Sequence, residues 1–135
     1  MKIWYISHII MYIEFYEKSD GTKPVLDFIE SLDVKLQTKT IGVIVLLKEK
    51  GHLLGMPFSK KLDNNIFELR VIFSTNHVRI LYFFDNNNKA VLTNCFIKKT
   101  NRVPRKEIDK ANRYRDVYVS RKERIWKTLR TLMII

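Results

Sequence analysis

The chain has 135 residues, 46% of them hydrophobic, with only four Gly and three Pro; that is enough for one domain with a modest core, and too apolar for a disordered segment. Its 25 Lys and Arg outweigh 14 Asp and Glu, a net charge of +11 that favours polyanionic partners: nucleic acid, a membrane surface or an acidic protein. The single cysteine, Cys95, excludes an internal disulfide, and His8, His52 and His77 are too scattered to suggest a metal site.

The stretch from Ile3 to Tyr16 is strongly apolar but contains His8 and Glu14. It falls short of the roughly 20 apolar residues of a membrane span. Glu17, Lys18 and Asp20 follow it where a signal peptide would carry a small-residue cleavage site. It reads as a strand from Tyr12 to Tyr16 behind an N-terminal extension, residues 1–10, with Met11 a candidate start. Ser19 to Thr22 is a turn, and Thr22 is placed to cap a helix with Pro24 in its first turn. Val25, Phe28, Ile29 and Leu32 fall at i, i+3, i+4 and i+7, one apolar stripe. Asp33 caps a second helix that runs to about Lys50, with Lys48 and Lys50 near its negative end and Gly51 as its left-handed stop. The two helices are expected to form a hairpin on a sheet.

His52 to Lys61 is read as a loop, containing Gly55 and Pro57. Three strands follow: Ile66 to Phe73, Val78 to Phe84, and Val91 to Ile97 ending in Lys98 and Lys99. Ser74 to His77 joins the first two, and Asp85 to Asn88 is the turn before the third. Side chains alternate along a strand. Arg70, Arg79 and Lys98 are therefore expected on one open face of the sheet, as a cationic platform for a phosphate backbone. Cys95 reads as a small buried apolar residue of the third strand. Pro104 opens a last helical region that carries the charge excess: 13 basic and 4 acidic residues from Lys98 onward, against 12 and 10 before it. Near its end Ile125, Leu129, Leu132 and Met133 share a face, so residues 123–135 read as a basic amphipathic tail. Docking of that face on the core is favoured over membrane contact, because the stripe is short. There is no glycine-rich phosphate loop, no Gly-x-Ser-x-Gly elbow, no repeat and no second domain.

Several pieces occur in order: Lys23-Pro24-Val25-Leu26-Asp27-Phe28-Ile29, Lys61-Leu62 ahead of Phe67-Glu68-Leu69-Arg70, and Arg79-Ile80-Leu81-Tyr82-Phe83-Phe84. Phe96-Ile97-Lys98-Lys99-Thr100 follows, with Pro104 and Ala111 behind it. From about Met11 to Lys122 this set resembles the HigB-like, phage-related branch of the RelE/ParE toxin superfamily. The resemblance implies an α+β, RelE-like fold: an N-terminal strand, a helical hairpin, a three-stranded antiparallel meander and a basic C-terminal helix. It implies the cytoplasmic toxin of a type II toxin–antitoxin pair, an endoribonuclease that cuts messenger RNA on the ribosome. Its implied partner is a small helix-turn-helix antitoxin that binds operator DNA, in a toxin–antitoxin heterotetramer, with no cofactor, metal or membrane. Carried over by position, the catalytic candidates are Arg70, Arg79, Lys98 and Lys99, with Glu68. The RNA-binding candidates are Lys60, Lys61, Tyr82, Arg102 and Arg105. No histidine is expected on the strands, since His77 is placed in a turn, so the general base is unassigned.

The chemistry fits these residue types. RNA carries its own nucleophile, the 2′-hydroxyl. Catalysis without a metal needs that oxygen held in line with the phosphate, a base, a counter-charge for phosphorus and an acid for the departing 5′-oxygen. The arginine fork matches phosphate oxygens and stays charged, which suits Arg70 and Arg79. A lysine crowded by cations has a lowered pKa and can move protons near neutrality, which suits Lys98 or Lys99. Glu68 is either a base or the ion-pair partner of Arg70, and Tyr82 either stacks on a base or lies in the core. A gyrase-poisoning toxin of the same fold and a non-catalytic nucleic-acid-binding module are the alternatives.

Overall fold

A computed structural model describes residues 11–86 and 88–134. The elements run β1 (Tyr12–Phe15), α1 (Pro24–Ser31), α2 (Val34–Lys50), a 3-10 turn (Gly51–Leu53), β2 (Ser59–Asp63), β3 (Ile66–Phe73), β4 (Asn76–Asp85), β5 (Lys89–Ile97) and α3 (Arg105–Ile134). The strands form one mixed sheet in the order β1-β5-β4-β3-β2. β2 to β5 is an antiparallel meander, and β1 adds to it in parallel beside β5. The fold is thus α+β and compatible with the RelE-like fold.

The expected meander of three strands is corrected to four. Ser59-Lys60-Lys61-Leu62-Asp63 gives a weak strand signal because it is short and rich in lysine, the composition that protects an exposed sheet edge from further pairing. A second correction concerns the β3–β4 connection. Ser74, at φ 58°, turns the chain, so β4 already begins at Asn76 and His77 lies within the strand rather than in a turn. The β3 bounds, Ile66 to Phe73, agree with the sequence reading.

The helical hairpin forms as its sequence dictates, with one change at its start. Lys23 occupies the N-cap of α1 without a side-chain bond, while the Thr22 hydroxyl donates to Asp20 Oδ1 at 2.7 Å. In α2, Asp33 Oδ1 accepts from the Leu36 N–H at 2.9 Å, a cap worth about 1 kcal/mol. Gly51 then adopts φ 56° at the stop.

The two faces of the sheet differ. One packs Leu69, Val71, Val78, Ile80, Tyr82 and Leu92 against Val25 and Ile29 of α1 and Leu36, Val43, Ile44 and Leu47 of α2. The other packs Ile66, Leu81, Phe83 and Val91 against Tyr16 and against Ala111 and Tyr118 of α3. α3 covers only part of this second face. Its root is tied by a charged cluster in which the Tyr118 hydroxyl donates to Glu14 at 3.1 Å and Lys122 Nζ lies 2.7 Å from Asp85. α3 is one continuous helix of 30 residues. Its end does not dock on the core, contrary to expectation: Ile125, Trp126, Leu129, Leu132 and Met133 are all exposed. The expected extension, residues 1–10, lies outside the described residues.

Candidate active site

The half of the second face that α3 leaves uncovered carries the charged residues. The register sets Arg70 opposite Arg79, Glu68 opposite Leu81 on one side and Lys60 on the other, and Arg79 opposite Phe96. Strand alternation then places Lys60, Glu68, Arg70, His77 and Arg79 on this one face. Lys98 follows directly on β5, and its N–H donates to the His77 carbonyl at 2.7 Å, fixing it beside β4. A cleft of about 340 Å³ is lined by Arg70, His77, Arg79, Lys98, Lys99 and Asn101. A second, of about 210 Å³, adjoins it through Lys98 and Asn101 and continues past Lys60, Glu68 and Arg102. Residues of the segment from Lys98 to Val103 line both clefts, and we take the two as lobes of one groove.

Two arginines facing each other on neighbouring strands repel. The sequence places a carboxylate between them. Glu68 Oε1 lies 3.7 Å from Arg70 Nε and 3.6 Å from Arg79 Nε. Glu68 is 3% and Arg79 1% exposed, whereas the Arg70 side chain is 21% exposed and reaches the cleft wall. Arg79 Nη1 also donates to the Val78 carbonyl, at 3.2 Å. Glu68 Oε2 and both arginine Nε atoms are sealed from water and lack a hydrogen-bond partner. The expectation that both arginines lie open is thus corrected. Arg70 is partly exposed, while Arg79 forms the floor of the cleft, in the middle of the sheet between Arg70 on β3 and Phe96 on β5.

The electrostatics follow from this packing. Burial pushes the Arg79 guanidinium down from its ordinary pKa and Arg70 adds to the effect, while Glu68 opposes it. Lys98 is lowered first by desolvation and next by Arg79, with Arg70 and Lys60 contributing and Glu68 opposing. A lysine held in this way releases its proton more readily than a free one. Among the described residues, no group of three or more His, Cys, Asp or Glu side chains is placed to hold a metal ion.

Other candidates are distributed differently. Lys60 and Arg102 line the second lobe and Lys99 the first. Lys61 pairs with Phe67 and so takes the opposite face. Tyr82 is 1% exposed in the core under α2, where its hydroxyl hydrogen-bonds that of Ser59 and burial pushes its pKa up to about 12. It is not placed to stack on a base. Arg105 is exposed but bridges Asp63 at 3.3 Å and Asp109 at 3.1 Å. Glu68 lines the second lobe, with Oε2 sealed and Oε1 against the Nε atoms of both arginines, a placement that holds them. His77 is the residue that sequence reading passed over. A period-2 alternation counted back from Arg79 was the signal that would have placed it in the site.

Residues 27–116 match the profile of the phage-derived protein Gp49-like family (DUF891). The chain belongs to the Gp49-like family. That family lies within the RelE/ParE-like toxin superfamily, so this Gp49-like chain is toxin-like in lineage as well as in fold. The match begins inside α1 and ends inside α3, so it spans all four meander strands and the whole of both lobes. No curated protein matches the chain.

Proposed function

We propose that this Gp49-like protein is a HigB-like toxin of a type II toxin–antitoxin pair that cleaves messenger RNA on the ribosome, without a metal, by attack of the 2′-hydroxyl. The observation that carries the reading is the cleft in which Arg70, His77, Arg79, Lys98 and Lys99 meet. In the reaction the 2′-oxygen bonds to phosphorus as the bond from phosphorus to the 5′-oxygen breaks, leaving a 2′,3′-cyclic phosphate and a 5′-hydroxyl. Arg70 reaches the phosphate oxygens from the wall, and Arg79 supplies positive charge from the floor. Lys98 and His77 are the groups able to take the proton from the 2′-hydroxyl and return one to the 5′-oxygen. Lys99 adds a second cation at the rim, and Lys60 and Arg102 hold the adjoining phosphate in the second lobe. Glu68 takes no proton in this scheme; it fixes the two arginines. The cognate partner is a helix-turn-helix antitoxin, through which alone the complex contacts operator DNA.

The test is incubation of the purified chain with a short free RNA at high enzyme concentration in the presence of a chelator, followed by end-group analysis. Cyclic phosphate ends with wild-type protein, and their loss with Arg70→Ala, are the expected result. Ends with a 5′-phosphate and a free 3′-hydroxyl would refute the mechanism. Expression of the chain alone is expected to arrest bacterial growth, and co-expression of its antitoxin to restore it.

A further inference from the structure

Past its last contacts with the body, α3 keeps the apolar face that docked it there. Arg121 donates to the Glu17 carbonyl at 2.6 Å and to Ser19 Oγ at 3.3 Å, and Lys122 pairs with Asp85. Beyond Ile125, among the described residues, the hydrogen bonds of α3 stay within the helix, as from Thr131 to the Lys127 carbonyl. Yet Ile125, Leu129 and Leu132 follow Ala111 and Tyr118 at helical spacing. Tyr118 and Ala111 are buried on the sheet; the large apolar residues from Ile125 to Met133 are 42–71% exposed. Among the described residues, the helix past Ile125, about nine residues or near 14 Å, thus extends beyond the body with an apolar stripe on the side that docks Ala111 and Tyr118.

The charges on this projecting end point to what covers the stripe. Arg124, Lys127 and Arg130 make no ion pair among the described residues, and Glu123 is the only acid from Arg121 to the end. A second copy would set cations against cations and bring its own net +11. A flat lipid surface meets the body first, because the stripe lies on the side of the helix where the sheet stands. A slender rod with the opposite charge fits the step. Clefts of about 510 and 480 Å³ sit at its root; Ile125 and Arg121 line both, and the carboxylates there, Glu17 in both and Glu14 in the second, are matched by Lys18 and Arg124 in the first and Lys23 and Lys122 in the second.

We propose that the projecting end of α3 is a docking surface for an amphipathic helix of a protein partner, with an apolar face against Ile125, Leu129 and Leu132 and carboxylates beside Arg124 and Arg130. The proposal does not rest on nuclease activity. The probe is a synthetic helical peptide with Leu at i, i+3, i+4 and i+7 and Glu elsewhere; its counterpart with Lys for Glu is the control. Binding to the full chain is read from the emission of Trp126 in a Trp4→Phe background. The acidic peptide is expected to shift that emission to the blue with micromolar affinity, and the basic peptide to leave it unchanged. Leu129→Glu with Leu132→Glu is expected to weaken binding by at least about tenfold while the melting temperature stays within about 2 °C, since both side chains are exposed. Four results would overturn the proposal: equal binding of both peptides or of neither; dimerisation by light scattering that the double variant abolishes; a blue shift with phosphatidylglycerol vesicles but not with the peptide; or a red shift of Trp126 on deletion of residues 1–10, which would show that the chain covers its own stripe.

Discussion

Arg79→Ala tests whether the cleft floor is held by charge. Arg79 is 1% exposed and Glu68 3%, so solvent screens their interaction little. Removing one member of a buried pair costs about 3–5 kcal/mol, because it strands the other charge. Here Arg70 remains 3.7 Å from the carboxylate, so the lower end applies, about 3 kcal/mol. Unfolding entropy of about 2.1 cal/mol/K per residue gives about 0.28 kcal/mol/K for this chain, so the melting temperature should fall by about 10 °C. Arg70→Ala, at a half-buried side chain, should cost about 1 kcal/mol or less, yet reduce cleavage about a hundredfold. The deciding variant is the double replacement Glu68→Leu with Arg79→Met, which removes both charges and keeps the volume. It should recover most of the lost stability and stay inactive. Circular dichroism melts and urea titrations supply the coupling energy. Arg79→Met alone keeps the volume but strands Glu68, so it is the comparison that isolates charge: were the double variant no more stable than Arg79→Met, the stranded carboxylate would not be the cause and the ion-pair account would be refuted.

Other outcomes follow from the same geometry. With Lys98 as the base, the cleavage rate rises with pH as its amine deprotonates and levels off below the range of an ordinary lysine, because its pKa is lowered. Lys60→Ala removes one of the lowering cations and should move that inflection to higher pH; an inflection that ignores Lys60→Ala and vanishes in His77→Asn assigns the base to His77. Cys95, pushed up to about 12 by burial and next by the Glu107 carboxylate, should resist alkylation at pH 8 in the folded protein and react on unfolding in urea. Tyr82→Phe should lose about 1 kcal/mol in a urea melt, through the Ser59 hydroxyl left without its partner, with cleavage unchanged; a loss of cleavage at full stability would return Tyr82 to the site.

What the sequence made legible was what depends on local pattern. The Asp33 cap, the Gly51 stop and the β3 bounds are set by neighbours within a few residues, and each was readable. The face shared by Arg70 and Arg79 was also readable, since alternation is a property of single strands. Depth was not. Whether Arg79 lies open or sealed depends on what packs around it, and the segment from Lys98 to Asn101 that lines the same cleft carries no periodic signal. β2 was missed because an edge strand suppresses the apolar alternation by which strands are recognised. His77 was missed by an error of two residues at a strand end, where hydrogen bonding, more than composition, decides the boundary. The tail was misjudged for a related reason: an apolar helical stripe states that a face will be covered, and not by what.

The placement of Glu68 bears on why the cleft has two arginines of such different exposure. An open arginine pair on adjacent strands would be free to turn outward, each side chain gaining rotamer entropy and water. Sealing one of them beneath the other, against a shared carboxylate, removes that freedom from Arg79 before any substrate arrives. The cost is a buried ion cluster with an unpartnered carboxylate oxygen and two unpartnered Nε–H groups, which lowers stability relative to an apolar floor. Such an expense within a sheet otherwise packed with Leu, Ile and Val has a plain return only if fixed positive charge at that point is useful. Beside desolvation, the nearness of Arg79 in the same cluster lowers the pKa of Lys98, so in the proposed reaction one arrangement would set both the charge that meets the phosphate and the amine beside it. Separating these effects needs Arg79→Lys, which keeps the charge and loses the fork. If Lys98 still titrates early in that variant while cleavage falls, the geometry of the guanidinium acts on phosphorus; if both persist, charge alone suffices.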